Sequence, residues 1–360
     1  MRIGIPSEVK NHEYRVGMLP AGASVCIAAG HEVWVQSGAG LAVGCDDAAY
    51  ANVGVHIEPS AETLYGQCDL IVKVKEPQAK ECEWLRRGQL LFGYLHLAAD
   101  RKLTTALCDK GVTAIAYETI TDRHGRLPLL QPMSEVAGRL AIQAAAMALT
   151  KPVGGKGVLM AGVPGTAPAN VVVLGGGVVG ANAVEMALGL GAQVTVLDTS
   201  VERLRELAAL FGPRLQTRVA NKQTLLGLLP RADVVVGAVL IPGAAAPKLL
   251  GYDDLKKMQP GTVLVDVAID QGGCFESSHA TTHEHPTYIR EGIVHYCVAN
   301  MPGAVPLTST HALTNVTLPY ILRLANEGLP AARNDALFAK GVNVHDGQVV
   351  NDVVAKALAL

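Results

Sequence analysis

A chain of 360 residues has room for two buried cores, since one domain commonly takes roughly 100–200 residues. Its 30 Lys+Arg against 32 Asp+Glu leave a formal net charge of −2, which excludes a basic nucleic-acid surface and a polybasic membrane anchor and leaves small molecules as partners. Aromatic residues make up only 4% while Gly, Ala and Val abound, a composition suited to a parallel sheet packed between helices.

Taken in order, Arg2 to Pro6 reads as a first strand, and Ser7 to Arg15 behind it is a polar, charge-dense loop. The opening MRIGIPSEVKNHEYR has no apolar signal core, so the expected location is the cytoplasm. Pro20 opens a helix through Ala29, Glu32 to Gln36 alternates as a strand, and Asp46 to Val53 reads as a short helix. Leu70 to Val74 and Leu90 to Leu95 are apolar strands that lead to Lys75 and His96. Ligand-facing residues in such sheets sit at the carboxyl ends of strands, so this pair is placed on one rim. Taken singly, Lys75 is also a solvated strand end, His96 a core histidine, and Arg15 a residue with no motif of its own. Val112 to Ala116 is a further strand, Tyr117 to Leu130 a loop, and Met133 to Leu149 a helix with Ser134 as its cap. Lys151 to Gly157 reads as a linker; its lysine lacks the G-x-x-x-x-G-K-[ST] spacing of a P-loop.

The centre of the chain carries the sharpest signal, VVVLGGGVVGANAVEMALGLGAQVTVLD from Val171 to Asp198. Four apolar residues run into Gly175-Gly176-Gly177, a helix with an apolar face follows, and Gln193 to Leu197 return as a second buried strand. Gly175-x-Gly177-x-x-Gly180 matches the dinucleotide fingerprint, in which the first glycine makes the turn, the second admits the pyrophosphate and the third lets helix and strand pack. Asp198 ends the next strand, where a carboxylate binds a ribose diol and repels a 2′-phosphate, so the pattern predicts NAD rather than NADP. The stretch Val171 to Ala192 is nearly uncharged and long enough for a bilayer, but its three consecutive glycines and Glu185 argue against a membrane helix.

Beyond it, Val201 to Leu210 and Asn221 to Leu229 read as helices, and Asp233 to Val239, Thr262 to Val267 and Ile293 to Val298 as strands, the last taken as the final sheet strand. Leu307 to Asn326 is a long helix returning towards the first region. His279, His283 and His285 cluster, but no cysteine or carboxylate stands beside them at a zinc spacing, so no metal is expected. The seven cysteines are scattered and odd in number, as reduced thiols are.

Long ordered segments then become recognisable: MRIGIPSEVKNHEYRVGMLPAG, VKVKEP, GYLHLAAD, PMSEVAGRLA, VVVLGGGVVG, VDVAIDQGGCFE and CVANMPGAVPLTSTHALTN. With them the whole chain resembles the alanine dehydrogenase and transhydrogenase alpha-subunit family. The resemblance implies two Rossmann-like α/β domains, an NAD domain (131–304) inserted into a substrate domain formed by both termini (1–130 and 305–360). It implies NAD-dependent interconversion of L-alanine with pyruvate and ammonium, and a homohexamer. Position by position it implies Arg15 and Lys75 as substrate ligands, and His96 and Asp270 as catalytic groups. Around NAD it places Ser134, Gly175, Gly177, Val178, Val179, Gly180, Asp198, Arg203, Ala220, Val239, Leu240, Val267, Ala268, Ile269, Asp270, His279, Val298, Ala299, Asn300 and Met301. Ala220 stands where relatives often have a serine, and Leu307 and His311 replace an expected arginine and phenylalanine. Two rivals share the fold: a nucleotide-binding transhydrogenase module without amino-acid chemistry, and an enzyme joining lysine to an oxo acid.

Overall fold

The computed structural model describes residues 1–239 and 246–359. Among them an eight-stranded and a seven-stranded sheet each centre a compact unit, the first made of Met1–Met133 with Gly303–Leu360 and the second of Ser134–Pro302. The chain is therefore mixed α/β, with one Rossmann-like unit inserted into another that both termini build.

The first unit opens with β1 (Arg2–Ile5), β2 (Glu32–Gln36), β3 (His56–Glu58), β4 (Leu70–Val72), β5 (Leu90–Gly93) and β6 (Thr113–Ala116). These are parallel and ordered β6-β5-β4-β1-β2-β3. Every residue of β4, β5 and β6 is buried, as strands covered on both faces must be, which is why β4 and β5 read as apolar runs and the one polar residue of β6, Thr113, is hydrogen-bonded to His345. Intervening helices start at side-chain caps: Asp46 accepts from Ala49 N at 2.8 Å, Ser60 from Thr63 N at 3.2 Å and Asp100 from Leu103 N at 3.0 Å. Such caps are worth about 1 kcal/mol each. The short strand β3 and the helices Ala61–Gln67, Ala79–Trp84 and Arg101–Lys110 add to the elements the sequence reading marks out.

The second unit holds β7 (Asn170–Leu174), β8 (Gln193–Asp198), β9 (Leu215–Val219), β10 (Val234–Gly237), β11 (Val263–Asp266), β12 (Thr287–Arg290) and β13 (Ile293–Tyr296), ordered β12-β13-β11-β10-β7-β8-β9. Only β12, paired with β13, runs antiparallel among these described strands. Alternate side chains face opposite layers. Val171, Val173, Val234, Val236, Val263 and Val265 pack with Ala141, Ala145, Ala183 and Ala187 of the helices Gln131–Ala148 and Val178–Gly189. Val172, Val235 and Leu264 pack with Leu225, Leu229 and Leu255 on the other face.

Two expectations are corrected. Ile293 to Val298 is not the final sheet strand: beyond the helix Pro306–Glu327 the chain adds β14 (Val342–His345), antiparallel to β6, and β15 (Gln348–Val349). A two-residue strand is too short to show a period, and the alternation of VNVH spans only four residues. Ser134 does not cap its helix, which starts at Gln131 with Pro132 in its first turn, where the missing N–H costs nothing. Among the described residues no helix is long and apolar enough to cross a membrane, and the seven cysteines form no disulfide.

Candidate active site

In the inserted unit the strand order reverses between β7 and β10, and ligand crevices of open α/β sheets form outside the carboxyl ends at such a point. Gly175 follows β7 in the left-handed region (φ 95°), and a Cβ there would lie 2.8 Å from the Ala238 carbonyl oxygen. A Cβ on Gly180 would meet the Gly175 carbonyl oxygen at 1.8 Å, so only glycine lets the helix sit on the turn. Gly177 is different: a Cβ would meet no heavy atom within 4 Å. It fronts open space at the N-terminus of the helix Val178–Gly189, which has no side-chain cap. Uncapped N–H groups beside open space fit a pyrophosphate.

Asp198, the last residue of β8, accepts from Gly176 N at 2.7 Å through Oδ2 and from Ser200 N at 2.8 Å through Oδ1. A carboxylate has about four acceptor sites, so capacity remains for a ribose diol. Arg203 donates from Nε to the Gly176 carbonyl at 2.6 Å and pairs with Glu206 at 2.5 Å. Ala220 donates its N–H to the Asp198 carbonyl at 2.9 Å. Ser134 lies one helical turn before Gly138, whose Cβ would stand 2.2 Å from the Val179 carbonyl oxygen; this close approach brings the helix of Ser134 to the first turn of the nucleotide helix.

The remaining positions expected around the cofactor lie elsewhere in the inserted unit. Val239 comes after β10, and Leu240 lies outside the described residues. Val267 donates to the Gly237 carbonyl at 3.0 Å, Ala268 and Ile269 are buried, and Asp270 is exposed on a 3-10 turn. Val298 and Met301 are buried and flank Ala299 and Asn300, the latter at φ 62°. His279 is exposed and stacks on Tyr288 with centroids 3.7 Å apart. The histidine cluster disperses: His283 Nε2 lies 3.2 Å from the Asn300 carbonyl oxygen, while His285 N donates to Thr282. Among the described residues no group of three or more His, Cys, Asp or Glu side chains is placed to hold a metal.

In the unit of the two termini, Arg15, Lys75 and His96 follow β1, β4 and β5, neighbours around the reversal of that sheet. Arg15 is buried and donates to Glu13 at 2.7 Å from Nε and 2.5 Å from Nη2. Burial alone would favour its neutral form, but the Glu13 carboxylate outweighs this and holds the guanidinium above its ordinary value. Tyr94 feels the Arg15 charge, anchors its hydroxyl on the Leu129 carbonyl at 2.6 Å, and sets its ring parallel to His96 with centroids 6.1 Å apart. His96 adopts a left-handed backbone (φ 49°) that costs a non-glycine residue energy. Glu118 offsets that cost by accepting from His96 N at 2.6 Å and Leu95 N at 3.3 Å, and its carboxylate stands 4.0 Å from His96 Nδ1.

Lys75 is placed by a buried charge network. Glu8 accepts from Val74 N at 2.6 Å and Lys75 N at 3.3 Å, and pairs at 3.2 Å with Lys73, which has no exposed surface. Lys73 also donates to Glu81 at 2.7 Å, and Glu81 accepts from Tyr65 OH at 2.8 Å. Burial would discharge Lys73, yet its two carboxylates raise its pKa; burial pushes Glu8 up against the pull of Lys73. Sequence reasoning missed Glu8, Glu13, Lys73, Glu81, Tyr94 and Glu118. The one available signal was Lys73 itself, a charge inside an apolar strand end, which demands a buried partner.

Comparison with known proteins agrees along the whole chain. The family model "Alanine dehydrogenase/PNT, N-terminal domain" matches residues 4–137 and "Alanine dehydrogenase/PNT, C-terminal domain" matches residues 141–352. The alanine dehydrogenase of Halomonas elongata is 55% identical, covering 100% of this chain and 97% of that protein. A solved L-alanine dehydrogenase superposes with a TM-score of 0.96 at 48% identity, covering 100% of this chain and 99% of that one. A transhydrogenase structure from Sinorhizobium meliloti, with a TM-score of 0.83 at 23% identity over 98% of this chain and 99% of that one, shares the fold. With both family models matched in order and the glycine cradle and cationic rim each at the strand ends of its own unit, the chain belongs to the alanine dehydrogenase/PNT family.

Proposed function

We propose that the chain is an NAD-dependent L-alanine dehydrogenase, converting L-alanine, NAD and water to pyruvate, ammonium, NADH and a proton, and the reverse. The observation that carries this reading is the cationic rim: a buried Arg15 oriented by Glu13, with Lys75 and His96 on adjoining strand ends, is a set that a nucleotide-binding module without amino-acid chemistry does not require. The first unit serves as the substrate domain and the inserted unit as the NAD domain, near the bounds 1–130 with 305–360 and 131–304.

Each residue has a task suited to its chemistry. Arg15 holds the substrate carboxylate, and Lys75 reaches the carboxylate or keto oxygen as a point charge. His96 moves protons as ammonia adds and water leaves, the general acid–base work to which an imidazole is suited. Asp270 takes part in the proton steps or stabilises the cationic iminium. The glycine cradle with Ser134, Asp198 and Arg203 holds NAD, joined by Ala220, Val239, Leu240, His279 and the segments 267–270 and 298–301. Bound NAD supplies the hydride acceptor. The protein works in the cytoplasm as a homohexamer; gel filtration tests the assembly against six times the 37.6 kDa chain.

The decisive experiment follows NADH oxidation with pyruvate, with and without ammonium. Oxidation that requires ammonium is the expected result. Tight NADH binding with no turnover would overturn the assignment in favour of a binding module, and turnover without ammonium would indicate a hydroxy-acid dehydrogenase.

A further inference from the structure

The turn that follows Asp270 is held by two charged side chains, the buried Asp266 and the exposed Lys248, that none of the chemistry above uses. Asp266 ends β11 with no exposed surface, and its Oδ2 accepts from Ser278 Oγ at 2.6 Å, Cys274 N at 2.8 Å and Phe275 N at 3.3 Å. Lys248 takes the complementary groups of the same stretch: Nζ donates to the carbonyls of Gly272, of Gly273 at 2.9 Å and of Phe275 at 3.3 Å. One side chain thus takes two N–H groups of the stretch and the other takes three of its C=O groups.

The conformation they hold is unusual. Gly272 and Gly273 are both left-handed, at φ 89° and 79°, and a Cβ on Gly273 would stand 2.7 Å from Asp266 Oδ2. Ala246 N bonds to the Gln271 carbonyl at 2.9 Å and Leu249 N to the Cys274 carbonyl at 2.7 Å, which sets the backbone of Lys248 alongside the turn. Asp270 occupies the middle of the 3-10 turn Ile269–Gln271, closed by Gly272 N on the Ile269 carbonyl at 3.0 Å and Gly273 N on the Ala268 carbonyl at 3.0 Å. The residues that set the direction of its carboxylate are therefore those that close and hold 271–275.

The geometry points to Lys248 and Asp266 as positioning residues for Asp270, holding the turn 271–275 so that the carboxylate is presented in one orientation. This rests on Asp270 being a catalytic group. An ammonium with three donors suits three carbonyls from one short stretch, and an apolar side chain of the same length offers them no donor. A displacement of about 1 Å away from the chemistry can cost about 100-fold in rate.

A double-mutant cycle separates positioning from general stability. In the otherwise native protein, Lys248→Met is expected to lower kcat by about 10- to 100-fold, and Lys248→Arg by much less. In an Asp270→Asn background, read by single-turnover NADH oxidation with enzyme in excess, Lys248→Met is expected to cost less than about threefold, because the group it positions is gone. Equal losses in the two backgrounds, or native kcat in Lys248→Met, would overturn the proposal. If Lys248→Met does not fold, Asp266→Asn carries the same cycle. Native turnover in Asp270→Asn alone would overturn the catalytic reading of Asp270 and this proposal with it, a failure distinguishable because it appears with Lys248 intact.

Discussion

At the scale of single residues, His96, the proposed proton carrier, sits on an unfavourable backbone conformation. Its φ is positive, and Glu118, on the 3-10 turn Tyr117–Thr119 after β6, binds two consecutive main-chain N–H groups to keep it so. Replacing His96 by alanine removes the proposed proton carrier and leaves the glycine turn of the other unit untouched. The His96→Ala protein is therefore expected to bind NADH normally with kcat reduced by about 10²–10⁴-fold; native turnover would refute the role. Asp198 poses the companion case, since it both braces Gly176 and offers acceptors to a ribose. An Asp198→Gly protein is expected to bind NAD about 10- to 100-fold more weakly and to tolerate NADP better, measured by titration with each nucleotide. Unchanged discrimination would refute the assignment.

At the scale of elements, strand ends are where stability is invested. Lys73 is enclosed by Glu8 and Glu81, so removing it leaves two buried carboxylates without their cation. Lys73→Met is expected to lose about 3–5 kcal/mol in urea unfolding, a much larger effect than that of an exposed pair such as Arg205 with Glu202. A second element-level device is His295 in β13. Its Nδ1 donates to the Ile293 carbonyl at 3.0 Å, so Nε2 accepts from Ser277 Oγ at 2.8 Å, and the ring is neutral. Burial lowers its pKa to about 4. The unfolded chain takes up this proton first, so the contribution is complete above pH ~6.5 and is lost as pH falls towards 4, up to about 3 kcal/mol. Unfolding midpoints at pH 7 and pH 5 should therefore differ more for the native protein than for His295→Asn; equal differences would exclude His295 as the cause.

At the scale of the whole molecule, each unit has its own core, with Leu64, Ile71, Leu91 and Ala114 in one and Val173, Val196, Val236 and Val265 in the other. NADH bound by the cradle is expected to protect the inserted unit, by about 2.7 kcal/mol at a concentration 100 times Kd. Hydrogen exchange should show that protection in β7, β8, β10 and β11; none there would place the cradle elsewhere. What the amino-acid order determined by itself was local or periodic. Gly175 and Gly180 were legible because their constraint is steric and spans one turn, Gly177 by its spacing between them, and β4, β5 and Val171 to Leu174 of β7 because strand residues buried on both faces are apolar. The roles of Arg15, Lys75 and His96 came from likeness to a family, and only the tertiary structure supplied what holds them. Glu118 lies 22 residues from His96, Glu8 lies 66 from Val74, and Lys248 lies 24 from Gly272. Hydrogen bonds and ion pairs act over about 3 Å whatever the separation along the chain, so a charged residue in a loop looks the same in sequence whether solvent or a buried partner meets it.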